Sequence, residues 1–367
     1  MAHIRSFLKR EPVLMAAVLA ALVSCFPVPP DAAYLSYLDF RTLALLYCLM
    51  TVVAGLRGAG FFSALSHMLC EKVESVRLLG LTLVLLSFFS SMLITNDVAL
   101  LTFVPFAVVV LGMAHRKKDL ILVVVLQTVA ANLGSMLTPV GNPQNLYLYS
   151  CYDLGFGDFL RITGPIWLLS LALCTLGCLL LPHEKLSLFL GEKPETDKRR
   201  LLFYAALFAV CLLVVLRVLP WYVMLLTVLA ALAVFDRKAL LQADFLLLLT
   251  FVAFFIFSGN LSRVDSVDRL LRSLLQGREF AVSLLASQVI SNVPAALLLS
   301  GFTGNARALI LGVNIGGLGT PIASLASLIS MKLYAHSEHA HTGRYLLVFS
   351  GINLLLLALL SAAQALL

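Results

Sequence analysis

Two short polar motifs interrupt apolar stretches of this chain and carry side chains suited to binding ions. Thr95, Asn96 and Asp97 form the first motif, and Ser291 and Asn292 belong to the second. Amide and hydroxyl oxygens, with backbone carbonyls freed at a helix end, are hard ligands that suit Na⁺. The N–H groups that begin the next helix favour anions. The motifs therefore predict contacts with a coupling cation and an anionic substrate; the alternative is that they only cap helices.

Asp97 differs from these neighbours because it carries a formal charge. It is the only acidic residue in the apolar stretch 78–115. Ionisable residues at membrane depth are costly and usually functional, so the position predicts a carboxylate that coordinates Na⁺ or carries a proton. The alternative is a hydrated helix end that tolerates an idle carboxylate.

A second pair of polar segments shares one arrangement. An asparagine precedes a Thr-Pro pair by six residues in both, Asn132 before Thr138 and Asn314 before Thr320. Proline prevents continuous helix, and irregular backbone at membrane depth is tolerated only inside protein or along a wet cavity. Helix N-termini at such breaks can hold an anion and their carbonyls a cation, whereas a packing kink would not explain two matched breaks. The predicted site residues here are Asn132, Thr138, Gly141, Asn142, Pro143, Asn145, Asn314, Thr320, Pro321 and Ser324.

The composition places these motifs in a membrane protein. The 367 residues are 61% apolar and 12% charged, and the mean hydropathy is +0.99. A soluble domain has roughly 25% charged residues, so a soluble enzyme, a nucleic-acid-binding module and a disordered chain are excluded. The net charge of +7 is typical of basic loops on the cytoplasmic side. We predict a multi-pass protein of the plasma or inner membrane, with no cofactor and no nucleic-acid partner.

Basic residues between the apolar runs predict the orientation of the chain. The bases at positions 5, 9 and 10 place the N-terminus inside, and the runs that follow bring the C-terminus outside. Only 27 residues separate Glu279 from Arg307, so each arm around Ser291 is too short for the roughly 30 Å hydrocarbon core. We therefore predict about nine full spans, re-entrant hairpins at 78–113 and 280–300, and broken helices at 120–150 and 308–331.

The matched motifs recur in the same order, which indicates an internal duplication. A third match supports it, because Asp39 opens one apolar span and Asp244 opens another. An inverted repeat with paired interrupted helices is typical of secondary transporters that bind substrate near the membrane midplane. The predicted units are a first half at 1–182, a cytoplasmic linker at 183–200, a connecting span at 201–219 and a second half at 220–367.

These motifs resemble those of the ion transporter superfamily, particularly the divalent-anion/sodium symporters, which include citrate and dicarboxylate transporters, and the arsenite permeases. The run 95–101 is similar to their first hairpin tip, 291–296 to the second tip, and 138–145 to the break of the first broken helix. The symporters carry Ser-Asn-Thr at both tips, whereas Asp97 and Val293 occupy the third positions here. This difference favours the arsenite-permease and citrate-transporter branches.

The resemblance implies a homodimer in which a transport domain, holding both hairpins and both broken helices, moves against a scaffold domain. It also implies a cation site at each tip with the nearby break, and an anion between the tips. The residues that match these cation sites are Thr95, Asn96 and Gly141 in the first, and Ser291, Asn292 and Thr320 in the second.

We therefore expect a secondary active transporter that moves a small anion, either a di- or tricarboxylate or an inorganic oxyanion, coupled to Na⁺ or H⁺ by alternating access. The alternatives are an arsenite-type efflux permease and a cation/proton antiporter that uses Asp97. A membrane-embedded enzyme, the remote alternative, would need a nucleophile or metal ligands at one depth. The only candidate set belongs to a loop, so we predict neither an enzyme nor a metal site other than one for Na⁺. That set is His336, Glu338, His339 and His341.

Overall fold

A computed structural model describes residues 12–71, 73–186, 195–337 and 340–366. Within these ranges all regular secondary structure is helical, apart from one isolated antiparallel bridge between Ser75 and Lys185. Seven helical stretches there are long and apolar enough to cross a membrane, and further apolar helices are shorter. The all-α polytopic fold is confirmed, whereas the division into two units and a linker stays a prediction. The bases at positions 5, 9 and 10, residues 187–194 of the predicted linker, Glu338 and His339 lie outside the described residues.

The first broken helix is interrupted by two short 3₁₀ turns, Ser135–Leu137 and Pro139–Gly141, which separate α7 (Leu120–Gly134) from α8 (Pro143–Cys151). Pro143 occupies the first turn of α8, where its missing N–H leaves no helical bond unmade. The helices up to this point and the next one are α1 (Pro12–Ser24), α2 (Tyr34–Tyr37), α3 (Phe40–Gly58), α4 (Phe61–Cys70), α5 (Val76–Ile94), α6 (Asn96–Met113), α7 (Leu120–Gly134), α8 (Pro143–Cys151) and α9 (Phe156–Gly177).

The second broken helix consists of α16 and α17, separated by the non-helical stretch 316–324. The helices after the linker are α10 (Lys198–Val215), α11 (Trp221–Phe235), α12 (Phe245–Ser262), α13 (Asp265–Leu275), α14 (Glu279–Ile290), α15 (Asn292–Leu299), α16 (Ala306–Ile315), α17 (Leu325–Ala335) and α18 (Thr342–Leu366). Asp39 and Asp244 occupy the same position in the two halves. Each caps its helix, α3 or α12, by accepting a backbone N–H three residues ahead, at 3.0 and 2.9 Å.

Each hairpin turns at one residue with an unusual backbone conformation. Thr95 joins α5 to α6 with φ 70° and ψ 150°, and Ser291 joins α14 to α15 with φ 73° and ψ 154°. Positive φ strains a residue that has a Cβ, at a cost of order 1–3 kcal/mol. The arms of the second hairpin, 12 and 8 residues, are short, as predicted. Those of the first, 19 and 18 residues, are long enough to cross a membrane.

Helix α7 is the innermost element of the described structure. In the stretch Lys117–Leu137 that contains it, 89% of the apolar window is buried, compared with 22% for α18. A helix that is apolar all round belongs in a core, whereas a peripheral helix faces the lipid. Gln127 of α7 donates from Nε2 to Phe103 O (3.2 Å) and Ser87 Oγ (3.3 Å), and so binds both arms of the first hairpin. The first break therefore lies inside the protein.

Candidate functional site

The first hairpin tip, Thr95–Asp97 (tip 1), is held by an asparagine of the first broken helix. Asn96 donates from Nδ2 to Oδ1 of Asn132 (3.0 Å). The same Oδ1 accepts the hydroxyl of Ser324 (3.0 Å), and Asn132 Nδ2 donates to Ser327 Oγ (3.3 Å). One buried amide thus joins tip 1 to the start of α17, in the other broken helix.

Asn314 makes the corresponding contacts in the second broken helix. Its Oδ1 accepts from Asn142 Nδ2 (3.1 Å), and its Nδ2 donates to Asn145 Oδ1 (2.7 Å) at the start of α8. Asn132 and Asn314, Asn142 and Ser324, and Asn145 and Ser327 are each separated by 182 positions. Residues matched by the internal repeat therefore make matched contacts, and the two broken helices bind each other reciprocally.

The orientation of the amides of Asn142, Asn314 and Asn145 can be assigned, because the hydrogen-bond chain starts from a backbone donor. Asn142 Oδ1 caps α8 by accepting the N–H of Asn145 (2.9 Å), so its Nδ2 must face Asn314. Asn314 Oδ1 is therefore an acceptor and its Nδ2 a donor, which leaves Asn145 Oδ1 as the acceptor. Asn145 Nδ2 is then directed at the carbonyls of the first break, Ser135–Asn142 (break 1).

The freed carbonyls of break 1 converge on that single amide nitrogen. Ser135, Met136 and Thr138 each accept from Asn145 Nδ2, at 3.4, 3.3 and 3.4 Å. A cation bound by these three oxygens would have to displace the amide. The carbonyl ligands expected at break 1 are present, and in this conformation Asn145 satisfies them.

The second break, Gly316–Ser324 (break 2), uses an amide from a different element. Gln288 of α14 donates from Nε2 to the carbonyls of Gly316 (2.7 Å) and Leu318 (3.0 Å). Its Oε1 accepts the N–H of Thr320 (3.0 Å), which fixes the orientation of the amide. Break 2 is therefore filled by a side chain of the second hairpin, a residue that the sequence motifs did not include.

Each threonine of the Thr-Pro pairs anchors its break to the last turn of a hairpin arm. The Thr138 hydroxyl donates to the carbonyl of Met92 in α5, and the Thr320 hydroxyl to the carbonyl of Gln288 in α14 (3.1 Å). Thr138 is 9% exposed, whereas Thr320 is exposed. The two anchors are equivalent in bonding and differ in their access to solvent.

The second tip, Ser291–Asn292 (tip 2), contacts break 2 through the backbone. The N–H of Asn292 donates to Ala323 O (2.9 Å), and the Ser291 hydroxyl approaches the same oxygen at 3.4 Å. Pro321 lies beside this contact, half-buried. The structure thus brings each tip to a broken helix, and the role of these residues as substrate or cation ligands stays a prediction.

Asp97 faces a cavity of about 210 Å³ between tip 1 and helices α3 and α12. Thr95, Asn142 and Pro143 line its inner part, and the exposed side chain of Arg57 lines it at the end of α3. The cavity also includes Asp244. It therefore combines tip 1, break 1, one cation and two carboxylates.

One carboxylate oxygen of Asp97 lacks a hydrogen bond. Oδ1 is buried and has no partner among the described residues. A buried carboxylate without a partner is costly, and a proton or a cation on this oxygen would offset the cost. Arg57 likewise makes no ion pair with a described residue, which leaves its charge free to face the cavity.

The sequence motifs missed four contributors to this site. Asp244 was used only as a landmark of the repeat, and Arg57, Gln127 and Gln288 were not among the predicted site residues. Polar residues inside apolar helices were the available signal, because Gln127 and Gln288 interrupt such runs. Their partners are backbone carbonyls of non-adjacent segments, which no local spacing reveals.

The described residues contain no group of three or more side chains arranged to hold a metal ion. His336 is exposed, and its Nδ1 lies 2.7 Å from the carbonyl of Lys332. His341 lies against a different cavity, described below.

An ion pair outside the helices links the two predicted halves. Arg263, after α12, donates to Asp31 (2.8 Å) in the loop after α1. This hydrogen bond holds the pKa of Asp31 below its usual value. Both side chains are about 40% exposed, so solvent screens the pair and it contributes little to stability.

Comparisons with known proteins agree with this architecture. The sequence pattern of the citrate transporter family matches residues 7–307. An uncharacterised transporter of Methanocaldococcus jannaschii is 32% identical over 330 residues, which cover 88% of this chain and 89% of the relative. The inner membrane protein YbiR of Escherichia coli is 30% identical over 302 residues, covering 81% and 80%. A silicon efflux transporter of Oryza sativa is 32% identical over 151 residues, covering 40% of this chain and 29% of the relative.

The superfamily resemblance and the expectation of a transporter rather than an enzyme are thereby confirmed. With 7–307 matched and two relatives aligned over most of their length, the chain belongs to the citrate transporter family of membrane transport proteins.

Proposed function

We propose that this transporter is a secondary active transporter for a small anion, a di- or tricarboxylate or an inorganic oxyanion, driven by a cation gradient. The observation that carries the proposal is the cavity at tip 1. It presents the free charge of Arg57 and a buried Asp97 oxygen without a partner to the same space. The arginine would attract and orient an anion, and the carboxylate would take the coupling ion. The family match to citrate transporters supports this substrate class.

The arrangement of the breaks favours H⁺ over Na⁺ as that ion. The carbonyls of break 1 accept from Asn145 and those of break 2 from Gln288. Na⁺ needs several oxygen ligands at once, and a bound Na⁺ would have to displace one of these amides. A proton needs only the unpartnered oxygen of Asp97. We therefore propose that Asp97 carries the coupling proton.

The cavity also suggests which state of an alternating-access cycle the structure represents. Its outer end is lined by the exposed Arg57, Gln242 and Asp244. The charge pattern predicts that these residues lie on the cytoplasmic side. We assign an inward-facing state, in which the transport domain of one protomer in a homodimer exposes tip 1 to the cytoplasm.

Transport by proteoliposomes that contain the Asp97→Asn variant tests the proposal. The wild type should accumulate citrate or another carboxylate when a pH gradient is imposed, and D97N should lose gradient-driven accumulation. Asp158→Asn is the matched control, because Asp158 is an exposed carboxylate whose one ion pair among the described residues is with Arg161. Accumulation by D97N equal to that of D158N would contradict the role of Asp97. Uptake driven by a Na⁺ gradient alone, in wild type, would assign the coupling to Na⁺.

A second candidate is an efflux permease for a weak inorganic acid such as arsenite or silicic acid, in its anionic or its neutral form. It is favoured by the similarity of part of the chain to a protein named a silicon efflux transporter. Everted and right-side-out vesicles distinguish the candidates when arsenite or silicic acid is offered in place of citrate. Flux of these solutes with no flux of carboxylates would favour efflux. A cation/proton antiporter would instead move Na⁺ against H⁺ with no anion present.

The orientation is tested by single cysteines in a background without the native ones. We propose that the N-terminus is inside and the C-terminus outside in a plasma or inner membrane. A cysteine that replaces Asp158 should then react with an impermeant maleimide in intact cells. One that replaces Lys238 should react only after lysis, and the reverse pattern would invert the topology.

A further inference from the structure

A second polar cavity lies far along α17 from the tips, where two connections meet. It has a volume of about 230 Å³ and lies between the turn joining α6 to α7, the end of α17 and the start of α18. Lys117 and Lys118 line it from the turn, and His341 and Arg344 from the start of α18. No acidic residue lines the cavity in the part of the chain that the structure describes. The transport mechanism proposed above uses none of these side chains.

Two described acidic residues beside Lys118 are already paired with another base. Arg116 binds Asp119 (2.7 Å) and Glu184. The hydrogen bond from Arg116 lowers the pKa of Glu184, so that this carboxylate stays ionised and paired. Lys118 approaches Glu184 only at 3.9 Å, with two thirds of its side chain exposed. Arg344 makes no ion pair with any described residue, so Lys118 and Arg344 give the described lining of the cavity a positive charge.

The polar wall of the cavity is held in place by hydrogen bonding and ring stacking. The phenol of Tyr334 accepts the backbone N–H of His341 (3.0 Å). Its ring stacks on Tyr345, with centroids 4.8 Å apart and an angle of 18° between the planes. The Ser337 hydroxyl donates to the carbonyl of Tyr334 (2.6 Å), which fixes it at the same wall. Because the donors on this wall are already held in place, little conformational entropy is lost when an anion binds.

One side of the cavity is apolar. Leu120 and Ile121, at the start of α7, lie beside the lysines. Basic side chains next to an apolar helix end suit a ligand with an anionic headgroup and an apolar chain. The charge pattern predicts that both connections lie on the cytoplasmic side, where basic pockets between membrane helices bind anionic lipid headgroups.

We propose that this cavity binds a phosphate group, presented by an anionic lipid of the inner leaflet. Lysine and arginine with hydroxyl donors are the side chains that recognise phosphate. Free phosphate shares this chemistry and is the other source of the group. Bound lipid would fasten the turn before the first broken helix to the end of the second one, and so stabilise the arrangement of the two broken helices.

Thermal unfolding of the purified, delipidated protein in neutral detergent tests the proposal. Phosphatidylglycerol should raise the unfolding midpoint of the wild type more than phosphatidylcholine does. The Lys118→Gln, Arg344→Gln double variant should lose at least half of that difference. A double variant with the same change of charge, Arg237→Gln with Lys238→Gln, should keep it, because these bases lie on the same predicted face outside the cavity. Lysine at position 344 should preserve the effect.

Two further measurements identify the source of the phosphate group. Inorganic phosphate, compared with sodium chloride at matched ionic strength, reports on the free ion. A shift with phosphate that the cavity variant abolishes assigns the site to a free anion and overturns the lipid assignment. Native mass spectrometry should show phosphatidylglycerol retained by wild type and lost from the cavity variant. Equal shifts and equal retention in both double variants would overturn the proposal as a whole.

Discussion

Both breaks leave backbone carbonyls without helical partners, but the amide side chains that bind these carbonyls come from different elements. In both, a side-chain amide donates to carbonyls freed by the interruption, and a threonine hydroxyl anchors the break to a hairpin arm. The amide of break 1 comes from α8 of the same broken helix and is fully buried. The amide of break 2 comes from Gln288 in the second hairpin, and Thr320 beside it is exposed. Break 1 therefore satisfies its own carbonyls, whereas break 2 depends on the position of the hairpin.

This difference indicates which break can release its backbone carbonyls to bind a ligand. If the second hairpin moves relative to α16 and α17, the carbonyls of Gly316 and Leu318 lose their donor and become available. The carbonyls of break 1 keep theirs, since Asn145 moves with the helix it belongs to. The predictions below test the difference.

The largest effect is expected from adding a methyl group to each break. A Cβ at Gly141 would lie 2.0 Å from the carbonyl oxygen of Ser135, inside the backbone of break 1. A Cβ at Gly317 would lie 2.9 Å from the side-chain nitrogen of Asn292, which can move. We expect Gly141→Ala to lower the free energy of unfolding by about 3 kcal/mol and Gly317→Ala by about 1 kcal/mol.

Thermal unfolding in detergent measures both glycine variants. Gly112→Ala is the control, because nothing lies within 4 Å of its added Cβ. It should be neutral or stabilising, since alanine favours helix over glycine. A loss in G317A equal to or larger than that in G141A would show that break 2 is the more rigid of the two.

The sequence was sufficient to predict most of this backbone architecture. Thr138-Pro139 and Thr320-Pro321 predict breaks because proline cannot continue a helix, and the structure confirms both interruptions. The short spacing around Ser291 predicts a hairpin, and the structure places its turn at that residue. These features depend on local chemistry and on length, which a sequence records directly.

The next largest effect is expected from removing the amides that fill the two carbonyl clusters. Asn145→Ala removes the side-chain donor shared by three buried carbonyls and one of the two acceptors of Asn314 Nδ2, which keeps its bond to Ile310 O (2.8 Å). The cost should be about 1–3 kcal/mol. Gln288→Ala should cost less, because Gln288 is only half-buried and water can therefore enter the space that its side chain leaves. Unfolding midpoints of the two variants test the order.

The same pair of variants also tests the proposed coupling ion. Without the Asn145 amide, the carbonyls of Ser135, Met136 and Thr138 form an oxygen cluster open to a cation. NaCl should therefore stabilise N145A more than choline chloride does, while the wild type should respond equally to both. A wild type already stabilised specifically by Na⁺ would contradict the argument that the amides exclude it.

Sequence patterns did not predict the hydrogen-bond partners of the site residues. Asn132 and Asn314 were recognised as polar residues in apolar helices, but they have partners in the other broken helix, 195 and 172 positions away. Gln288 was missed because its role depends on how the hairpin packs against break 2. Arg57 was missed because a base at a helix end is usually a topology signal. Such roles follow from tertiary packing, which spacing along one helix does not encode.

The smallest effect is expected at the threonine anchors. Thr138→Val removes a buried hydroxyl and leaves the carbonyl of Met92 without this donor, at a cost of about 0.5–1.5 kcal/mol. Thr320→Val should change stability by less than about 0.5 kcal/mol, because solvent reaches that site. A transport assay separates the two threonines further. If the exposed Thr320 hydroxyl contacts substrate, Thr320→Val should raise the apparent KM and leave the unfolding midpoint unchanged. If T320V alters neither quantity, Thr320 is only an anchor, and the predicted contact of its hydroxyl with substrate is wrong.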